Sequence, residues 1–384
     1  MRKKVSVLGA TGSVGTQALD VARSRGYDVD FLTANRDVCT MESLAREFRP
    51  AAVAMADERS ARDLKLRLSD TDISVLSGTS GICDGIKSSK SNTVINSIIG
   101  EAGLMPTLAV IESGKRLALA NKESLVIAGD IVMSKAAEMG VEIIPVDSEH
   151  SAIFQSLKSG KRSEIKRLIL TASGGPFFGK SREELGRVTL ADTLAHPTWK
   201  MGKKITVDSA TLMNKGFEVI EAAHLFGVNA DRIQVTVHRE SILHSAVEYI
   251  DNSIIGEFSV PDMRMCVQYA VDYPDRCDTA SRELDLFEVG KLSFYKPDTD
   301  VFVFLDLAKE AASLGGAMPA IMNAADEVAV DAFLHERISF TDIFDVVTDT
   351  FYRLKDRTCC VSLEDIIASD RDARSIAKEI ITRR

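Results

Sequence analysis

The chain has 384 residues, more than one ordinary hydrophobic core accommodates, so we expect two or three domains. Hydrophobic residues make up 45% and charged residues 27%, the balance of a folded globular protein. The net charge of −9 and the lack of a basic run in the sequence argue against nucleic-acid binding, because proteins that neutralise phosphate backbones usually carry such a run.

The sequence also argues against a membrane or exported protein. The apolar run at residues 5–8 is too short for the centre of a signal peptide, and no stretch approaches the ~20 apolar residues of a membrane helix. The six cysteines form no CxxC pair, which indicates reduced thiols rather than a disulfide framework. We therefore expect a cytoplasmic protein.

Short apolar segments recur along residues 1–147, with helical patterns between most of them. The predicted strands are 4–9, 28–34, 51–56, 73–78, 93–98, 116–120 and 141–146. Alternating strands and helices predict a parallel sheet with helices on both faces. The predicted fold class is therefore α/β, beginning with a Rossmann-like doubly wound domain.

The pattern changes after residue 147. Residues 148–272 combine long loops, one strong helix near 211–226 and several predicted strands, which indicates a central α+β domain with an exposed or dimer-forming sheet. The strands are predicted at 165–171, 203–208, 233–238, 242–249 and 254–259. Residues 273–299 are typical of an extended linker, and residues 300–384 predict a C-terminal α-helical domain with Ser362 and Asp365 capping one helix.

The first predicted strand leads directly into residues 9–15, which read GATGSVG and open a helix. Strand, glycine turn and helix in this order are typical of a dinucleotide-binding loop, in which small residues let the backbone approach the pyrophosphate. The free N–H groups of the helix N-terminus then favour the negative charge. The alternative is a tight turn in a flavodoxin-like fold without this ligand.

The end of the second predicted strand indicates which nicotinamide cofactor binds. NAD-binding proteins usually carry Asp or Glu there for the ribose hydroxyls. This chain has Asn35, Arg36 and Asp37 instead. Arg36 suits the 2′-phosphate of NADP, although Asp37 could turn towards a ribose, so NADP is the favoured cofactor and NAD the alternative.

Two carboxylates follow the last strand of the first domain. Asp147 and Glu149 are two residues apart, so in an extended segment both side chains leave from one face. Open α/β sheets bind ligands beyond the carboxyl ends of their strands, and paired carboxylates are typical ligands of a hard cation. A solvated loop of acids is the alternative.

A second polar cluster occupies residues 208–218. Asn214 and Lys215 lie four and three residues before Glu218, so all three can share one helix face. An ordinary Lys–Glu helix pair is the alternative. The turn at 171–176, with Ser173 and two glycines, suits a phosphate wrapped by backbone donors, or is simply a turn.

Residues 196–203 contain the single tryptophan of the chain, Trp199, between a proline, a glycine and lysines. A large apolar side chain on such a loop predicts a lid that closes over the substrate and excludes water. The alternative is a tryptophan that anchors the loop to the core.

Six motifs in order then resemble one family over essentially the whole chain. They are GATGSVG at 9–15, ANKES at 120–124, PVDSEH at 145–150, TASGGPF at 171–177, HPTWKMGKKITVDSATLMNKGFE at 196–218 and NAADEVAV at 323–330. These closely resemble 1-deoxy-D-xylulose 5-phosphate reductoisomerase. The resemblance implies NADPH- and metal-dependent conversion of that sugar phosphate to 2-C-methyl-D-erythritol 4-phosphate in non-mevalonate isoprenoid biosynthesis, by a homodimer.

The resemblance also implies the site residues. The positions that match NADPH-binding residues are Thr11, Gly12, Ser13, Val14, Asn35, Arg36, Asp37, Asn121, Glu123 and Gly202. The positions that match substrate-binding residues are Lys122, Ser148, Glu149, Ser173, His196, Ser209, Asn214, Lys215 and Glu218, of which Lys122, Glu149, His196 and Lys215 are the expected catalytic residues. The expected ligands of Mg²⁺ or Mn²⁺ are Asp147, Glu149 and Glu218.

The chain departs from the family pattern at a few positions. The family commonly has serine in place of Ala10 and asparagine in place of Thr198 and Asp326. It usually has proline and glutamine where this chain has Arg239 and Glu240. None of these positions is among the implied ligands.

Two other functions compete with this interpretation. A dehydrogenase of the semialdehyde dehydrogenase type would need a nucleophilic cysteine, and Cys39 and Cys83 have no histidine nearby in sequence. A non-catalytic NADP-sensing protein would not need Asp147, Glu149 and Glu218 together. In addition, Glu221-x-x-His224 lacks the partner of a di-iron motif, and His238 and His244 are expected in the core or an interface.

Overall fold

The computed structural model describes residues 3–199, 201–279 and 281–384. The chain divides into two compact units. Unit 1 comprises the described parts of Met1–Ser124, Val132–Ser151 and Asp262–Arg282, and unit 2 those of Leu125–Ile131, Ala152–Pro261 and Glu283–Arg384. The predicted division into residues 1–147, 148–272, 273–299 and 300–384 as functional domains stays a prediction.

Unit 1 contains a seven-stranded parallel sheet. Its strands are β1 (Lys4–Leu8), β2 (Asp28–Ala34), β3 (Ala52–Met55), β4 (Ser74–Ser77), β5 (Thr93–Asn96), β6 (Arg116–Leu119) and β7 (Ile143–Pro145). They lie in the order β4-β3-β2-β1-β5-β6-β7. All seven predicted strands and the doubly wound arrangement are therefore confirmed, and the order reverses direction between β1 and β5.

Helices connect these strands and continue into the next part of the chain. They are α1 (Ser13–Arg25), α2 (Val38–Phe48), α3 (Glu58–Arg67), α4 (Gly78–Ser88), α5 (Leu104–Glu112), α6 (Glu123–Met139) and α7 (Ser148–Ser156). The first of them buries Ala18, Leu19 and Ala22 along one face, at the spacing of a helix that packs on a sheet.

Unit 2 contains a smaller, mixed sheet and a set of helices. The strands are β8 (Ile165–Ala172), β9 (Ile233–Val237), β10 (Leu243–Tyr249) and β11 (Ile254–Phe258), in the order β11-β10-β8-β9. The helices before β9 are α8 (Arg182–Leu185), α9 (Leu190–Leu194), α10 (Lys203–Thr211) and α11 (Met213–Phe226). Four of the five strands predicted here are confirmed, and β11 forms an edge of the sheet.

The strand predicted at 203–208 is wrong, because these residues belong to helix α10. The β-branched Ile205 and Val207 favour a strand locally, but the buried positions follow a helical period, with Thr206 and Val207 one turn before Ala210 and Thr211. Tertiary packing of this face therefore outweighs strand propensity.

Helix α12 (Met263–Asp272) packs against α1. Its last residue, Asp272, lies 2.8 Å from the Nζ of Lys3 and 3.6 Å from the Nε of Arg25. Residues 262–272 belong to unit 1. The apolar residues Val267, Ala270 and Val271 of α12 are buried, and Asp272 forms an ion pair with Lys3.

The rest of unit 2 is helical. Its helices are α13 (Leu286–Val289), α14 (Phe304–Leu314), α15 (Met318–Leu334), α16 (Phe340–Arg353) and α17 (Leu363–Thr382). Helix α15 packs against α16 and α17, and Ser362 caps α17 as predicted by accepting from the backbone of Asp365. No helix in the described ranges combines the length and apolar character needed to cross a bilayer.

Candidate active site

The GATGSVG loop lies where the strand order of the first sheet reverses. Gly9 has φ +78°, and a side chain there would place its Cβ 2.8 Å from the carbonyl oxygen of Ser97, which follows β5. The Oγ of Ser97 in turn donates to the carbonyl of Leu8, at 2.6 Å. Open α/β sheets bind ligands at this reversal point, and none of residues 11–14 is buried. The backbone at the start of α1 is therefore accessible to a pyrophosphate.

The end of β2 presents a cation rather than an acid. The carboxylate of Asp37 accepts from the backbone N of Thr40 at 3.1 Å and caps α2. Arg36 is 79% exposed and lies 3.7 Å from Asp57. Because Asp37 is engaged in capping, Arg36 is the group at this corner that is suited to a 2′-phosphate.

Asn121 has a structural role that the sequence did not reveal. Its Nδ2 donates to the carbonyls of Ile98 and Gly100, at 2.7 and 3.0 Å, and lies 3.0 Å from Glu123. Its Oδ1 accepts from the backbone of Ser124. Asn121 therefore ties the loop after β5 to the start of α6, and its contact with NADPH stays a prediction.

Asp147 is the centre of a buried polar group in unit 1. Lys122, the residue directly before α6, places its Nζ 2.7 Å from one carboxylate oxygen of Asp147. The other oxygen accepts from the backbone N of Glu149 at 3.1 Å and lies 2.9 Å from the Nδ1 of His150. Asp147 thus caps α7, and the assumption of an extended segment at 147–149 is wrong. Ser148 donates to the carboxylate of Glu149.

His196 is the centre of the corresponding group in unit 2. Its Nε2 lies 3.1 Å from the hydroxyl oxygens of both Ser173 and Ser209. Its Nδ1 accepts from the backbone N of Trp199 at 3.0 Å, so in the neutral ring the hydrogen is on Nε2. Burial, assisted by the charge of Arg239, lowers the pKa of His196 to about 4. Two hydroxyls and a neutral imidazole therefore form a group suited to a phosphate.

The backbone brings these three side chains together. Ser173 directly follows β8, His196 follows α9, and Ser209 lies near the end of α10. Gly175 has φ +65°, and a Cβ on it would lie 2.6 Å from the carbonyl oxygen of Ser209. Only a glycine allows the turn after β8 to approach α10 this closely.

The predicted face of α11 is confirmed. Asn214 and Lys215 each contact one carboxylate oxygen of Glu218 through their side-chain nitrogens. Lys215 and Glu218 are both buried, so their opposite charges balance within the protein. Helix α11 begins directly after Leu212, a non-glycine residue with φ +62°, which separates it from α10.

The loop 196–203 contains a half-buried Trp199. Its ring centre lies 6.0 Å from that of His244 in β10. Gly202 caps the start of α10 and belongs to unit 2, whereas the other predicted NADPH residues belong to unit 1. Lys200 lies outside the described residues, and closure of this loop over a substrate stays a prediction.

Sequence reasoning missed a buried charge cluster beside Ser209. The Nζ of Lys204 lies 2.6 Å from Asp208 and 2.8 Å from Asp326, and 4.9 Å from the ring centre of Phe217. Asp326 is fully buried, and that burial raises its pKa. The i, i+4 spacing of Lys204 and Asp208 could have indicated part of this cluster. Such a spacing places two side chains together only on a helix, and a strand was predicted here.

The histidines set aside from the sequence pack as expected. The Nδ1 of His238 donates to the carbonyl of Ser293 at 2.9 Å, and its ring stacks on Phe294. His244 lies in β10 and is 4% exposed. All six cysteines are free, with Cys39 inside α2 and Cys83 inside α4.

Comparisons with known proteins give one family for the whole chain. Profiles described as 1-deoxy-D-xylulose 5-phosphate reductoisomerase and its C-terminal domains match residues 5–129, 143–226 and 258–376. A relative of that name from Acetivibrio thermocellus is 50% identical over 381 residues, covering 99% of this chain and 100% of its own.

Two solved structures are similar throughout. The enzyme of that name from Zymomonas mobilis in complex with NADPH has a TM-score of 0.91 and 40% identity, covering 99% of each chain. A structure described as DOX-P reductoisomerase in complex with NADPH, fosmidomycin and magnesium has a TM-score of 0.94 and 38% identity, covering 99% of this chain and 98% of its own.

Proposed function

Because the chain belongs to the 1-deoxy-D-xylulose 5-phosphate reductoisomerase family, we propose that it isomerises this sugar phosphate and reduces the product to 2-C-methyl-D-erythritol 4-phosphate. NADPH is the reductant, and a divalent metal ion, Mg²⁺ or Mn²⁺, is the second cofactor. The observation that carries this function is 50% identity to a relative of that name over 99% of the chain.

The phosphate of the substrate is assigned to unit 2. Ser173, His196 and Ser209 already share hydrogen-bond distances of 3.1 Å, and they offer hydroxyl and imidazole donors. Lys215 and Asn214, on the face of α11, add a charge and an amide donor. Charge-assisted hydrogen bonds of this kind are the strong ones for a phosphate.

The metal ligands are assigned as Asp147, Glu149 and Glu218. All three are carboxylates, the donors preferred by Mg²⁺ and Mn²⁺ over zinc or copper. When bound, such an ion supplies Lewis-acid polarisation of neighbouring substrate oxygens. Within unit 1, Lys122 and the first turn of α7 fix the orientation of Asp147 in advance, which supports its place in this set.

Lys122 has a second assigned role. It is buried at the start of α6, and its ammonium is held 2.7 Å from Asp147. We assign it to orient a substrate hydroxyl by donating a hydrogen bond. Glu149, His196 and Lys215 complete the catalytic set, with Ser148 holding the carboxylate of Glu149.

NADPH is assigned to the accessible start of α1 and to the corner at Arg36. Thr11, Gly12, Ser13 and Val14 contribute accessible backbone at the N-terminus of α1, where N–H groups favour a pyrophosphate. At the corner, Asn35 carries no charge and Arg36 is exposed. Asn121, Glu123 and Gly202 remain assigned through the resemblance.

We further propose a homodimer that forms through β11. This strand is a sheet edge, and Ile254, Ile255 and Phe258 on it are 56%, 38% and 47% exposed. An edge strand with exposed apolar side chains favours pairing with another copy. Light scattering should therefore give about twice the mass of one chain; a monomer at micromolar concentration would contradict this assignment.

The cytoplasm is the proposed compartment, since all six cysteines are free thiols and NADPH is an intracellular reductant.

The lid at 196–203 is proposed to close over the bound phosphate, with Trp199 facing the ligand. The lid assignment rests on the sequence and on the contacts of Trp199 with His196 and His244.

One assay separates the proposed function from its alternatives. Purified protein with Mg²⁺ should oxidise NADPH only when 1-deoxy-D-xylulose 5-phosphate is present, and mass spectrometry and NMR should identify 2-C-methyl-D-erythritol 4-phosphate. Oxidoreductase activity on a semialdehyde that depends on a cysteine would support the first alternative instead. Binding of NADPH without turnover of the sugar phosphate would support the second.

A further inference from the structure

Arg239 of unit 2 lies beside the turn that carries Ser173 and has no role in the assignments above. Its Nη1 donates to the carbonyl oxygens of Ser173 and Gly175, at 2.9 and 2.6 Å. Its guanidinium lies 5.2 Å from the ring centre of Phe178. The side chain is half-buried, so three groups fix its position.

These hydrogen bonds affect the turn directly. Carbonyl oxygens repel an anion, and the two carbonyls of this turn are drawn towards the guanidinium of Arg239. The hydroxyl of Ser173 meanwhile accepts from the backbone N of Gly175 at 3.2 Å and lies 3.1 Å from His196. Arg239 thus binds the acceptors of the turn, while the hydroxyl stays beside the imidazole.

The charge of Arg239 also acts at the centre of the group. Together with burial, which is the larger cause, it lowers the pKa of His196. A positive charge that disfavours a second positive charge at His196 favours a negative charge at the same place, because both effects follow from one potential. A phosphate beside His196, Ser173 and Ser209 would therefore be stabilised by Arg239.

We propose that Arg239 is a positioning and electrostatic residue for the substrate phosphate: it holds the Ser173–Gly175 turn by two carbonyl oxygens and supplies a fixed positive charge to the group around His196. This rests on the proposed function, in which that group binds the phosphate. Arg239 acts through the turn and through its field, without being a reacting group.

A second arginine gives a matched control. Arg232 donates to the carbonyl oxygens of Ile165 and Lys166, at the other end of β8. It makes the same kind of contact to the backbone of the same strand, but at the end opposite Ser173. Arg232→Gln therefore measures the cost of losing an arginine that binds two backbone carbonyls of β8, without changing the residues around His196.

The kinetic experiment compares Arg239→Gln, Arg239→Lys and Arg232→Gln with the wild type. Arg239→Gln should raise KM for the sugar phosphate by about tenfold or more, the loss expected for a charge-assisted interaction, with little change in KM for NADPH. Arg239→Lys retains the charge and should recover much of that loss. An unchanged KM for the sugar phosphate in Arg239→Gln, equal to that in Arg232→Gln, would overturn the proposal.

A second measurement tests the electrostatic effect of Arg239 through the pKa of His196. NMR titration of His196, whose signal is assigned by comparison with His196→Asn, should show its pKa near the value of about 4 in the wild type. The pKa should rise in Arg239→Gln while staying below 6.5, because burial still lowers it, and it should stay low in Arg239→Lys. An unshifted His196 in Arg239→Gln would overturn the electrostatic role, since a clamp alone does not move this pKa.

Inorganic phosphate serves as the probe that separates this proposal from the proposed function. Phosphate should perturb the His196 signal in the wild type and bind more weakly to Arg239→Gln than to Arg232→Gln. If the wild type shows this binding but never turns over the sugar phosphate, the proposed function fails and the role of Arg239 stands. If turnover is normal and phosphate binds equally to both variants, the role of Arg239 fails and the proposed function stands.

Discussion

Asp147 in unit 1 is buried and His196 in unit 2 is half-buried, and the surroundings of the two side chains have opposite electrostatic character. Asp147 accepts from Lys122 and from the first turn of α7, so its negative charge is stabilised in place. His196 lies between two hydroxyls, and burial with the charge of Arg239 keeps its ring neutral.

The difference shows how one acidic chain can bind both a cation and a phosphate. A carboxylate that is already oriented retains its charge for a hard cation. A neutral group of hydrogen-bond donors, with the positive charge of Arg239 beside it, favours a phosphate. Substitutions that remove charge around Asp147 should therefore leave phosphate binding around His196 largely intact, and substitutions around His196 should leave cation binding at Asp147 largely intact.

The largest effect is expected at the carboxylates. Glu149→Gln and Glu218→Gln preserve shape but remove charge, and each should lower kcat on the order of a thousandfold or more, because a bound Lewis acid contributes several kcal/mol to the transition state. NADPH binding, followed by fluorescence titration, should persist. The control is Glu138→Gln, which changes an exposed glutamate at the end of α6. If Glu218→Gln turned over substrate at the wild-type rate, Glu218 would not be a metal ligand.

Lys215→Ala should act on the phosphate. Loss of one charge-assisted hydrogen bond should weaken binding of the sugar phosphate by about tenfold to a hundredfold, while the affinity for NADPH changes little. Because Lys215 is buried against Glu218, circular dichroism should first establish that the variant folds. Lys355→Ala, which removes an exposed lysine paired with Glu310, is the control. An equal loss of NADPH affinity would mean that the effect of Lys215→Ala is not specific to the phosphate.

Arg36→Glu should change only the choice of cofactor. The side chain is 79% exposed, so the preference for NADPH over NADH in kcat/KM should fall by about tenfold, the lower end for a charge-assisted contact. The maximal rate should be retained. Arg62→Glu, on the exposed face of α3, tests for a general charge effect. Equal use of NADH and NADPH by the wild type would contradict the role of Arg36.

The smallest effect concerns stability. Burial raises the pKa of Asp326 above its ordinary 3.8, so its contribution to stability is complete below the unfolded pKa and is lost as pH rises through the folded one. Asn does not titrate, so the free energy of unfolding of Asp326→Asn should rise relative to that of the wild type as pH increases.

Denaturant melts across this pH range check the prediction, with the exposed Asp331→Asn on the same helix as the control. Lys204 keeps Asp208 as a partner in the variant, so the lysine is not left without a carboxylate. If the free energy of unfolding of Asp326→Asn instead fell relative to the wild type as pH rises, Asp326 would be ionised at little cost in the folded protein.

The sequence predicts the first sheet well because its apolar runs alternate regularly with helices. It predicts the face of α11 because the spacing of Asn214, Lys215 and Glu218 is local. The strand at 203–208 failed because two β-branched residues outweighed the helical period of the buried positions. An Asp followed by Ser and Glu also indicates a helix start, which explains the error at Asp147.

Other features depend on residues far apart in the chain. Nothing local to residues 262–272 shows that α12 packs on α1, and nothing near Asp326 shows that Lys204 binds it. The position of Arg239 beside the Ser173 turn likewise follows from β8 and β9 being neighbours in the sheet. Pairing of distant elements sets these contacts, and single-sequence patterns do not contain it.

The central claim is that this chain performs a metal-dependent reduction of a sugar phosphate by NADPH. Protein stripped with EDTA should be assayed for NADPH oxidation with 1-deoxy-D-xylulose 5-phosphate, before and after addition of Mg²⁺ or Mn²⁺. We predict no turnover in the stripped protein and restored turnover, with 2-C-methyl-D-erythritol 4-phosphate as the product, once the ion is added. Full activity in the metal-free protein would contradict the assignment of the carboxylates and the reaction built on it.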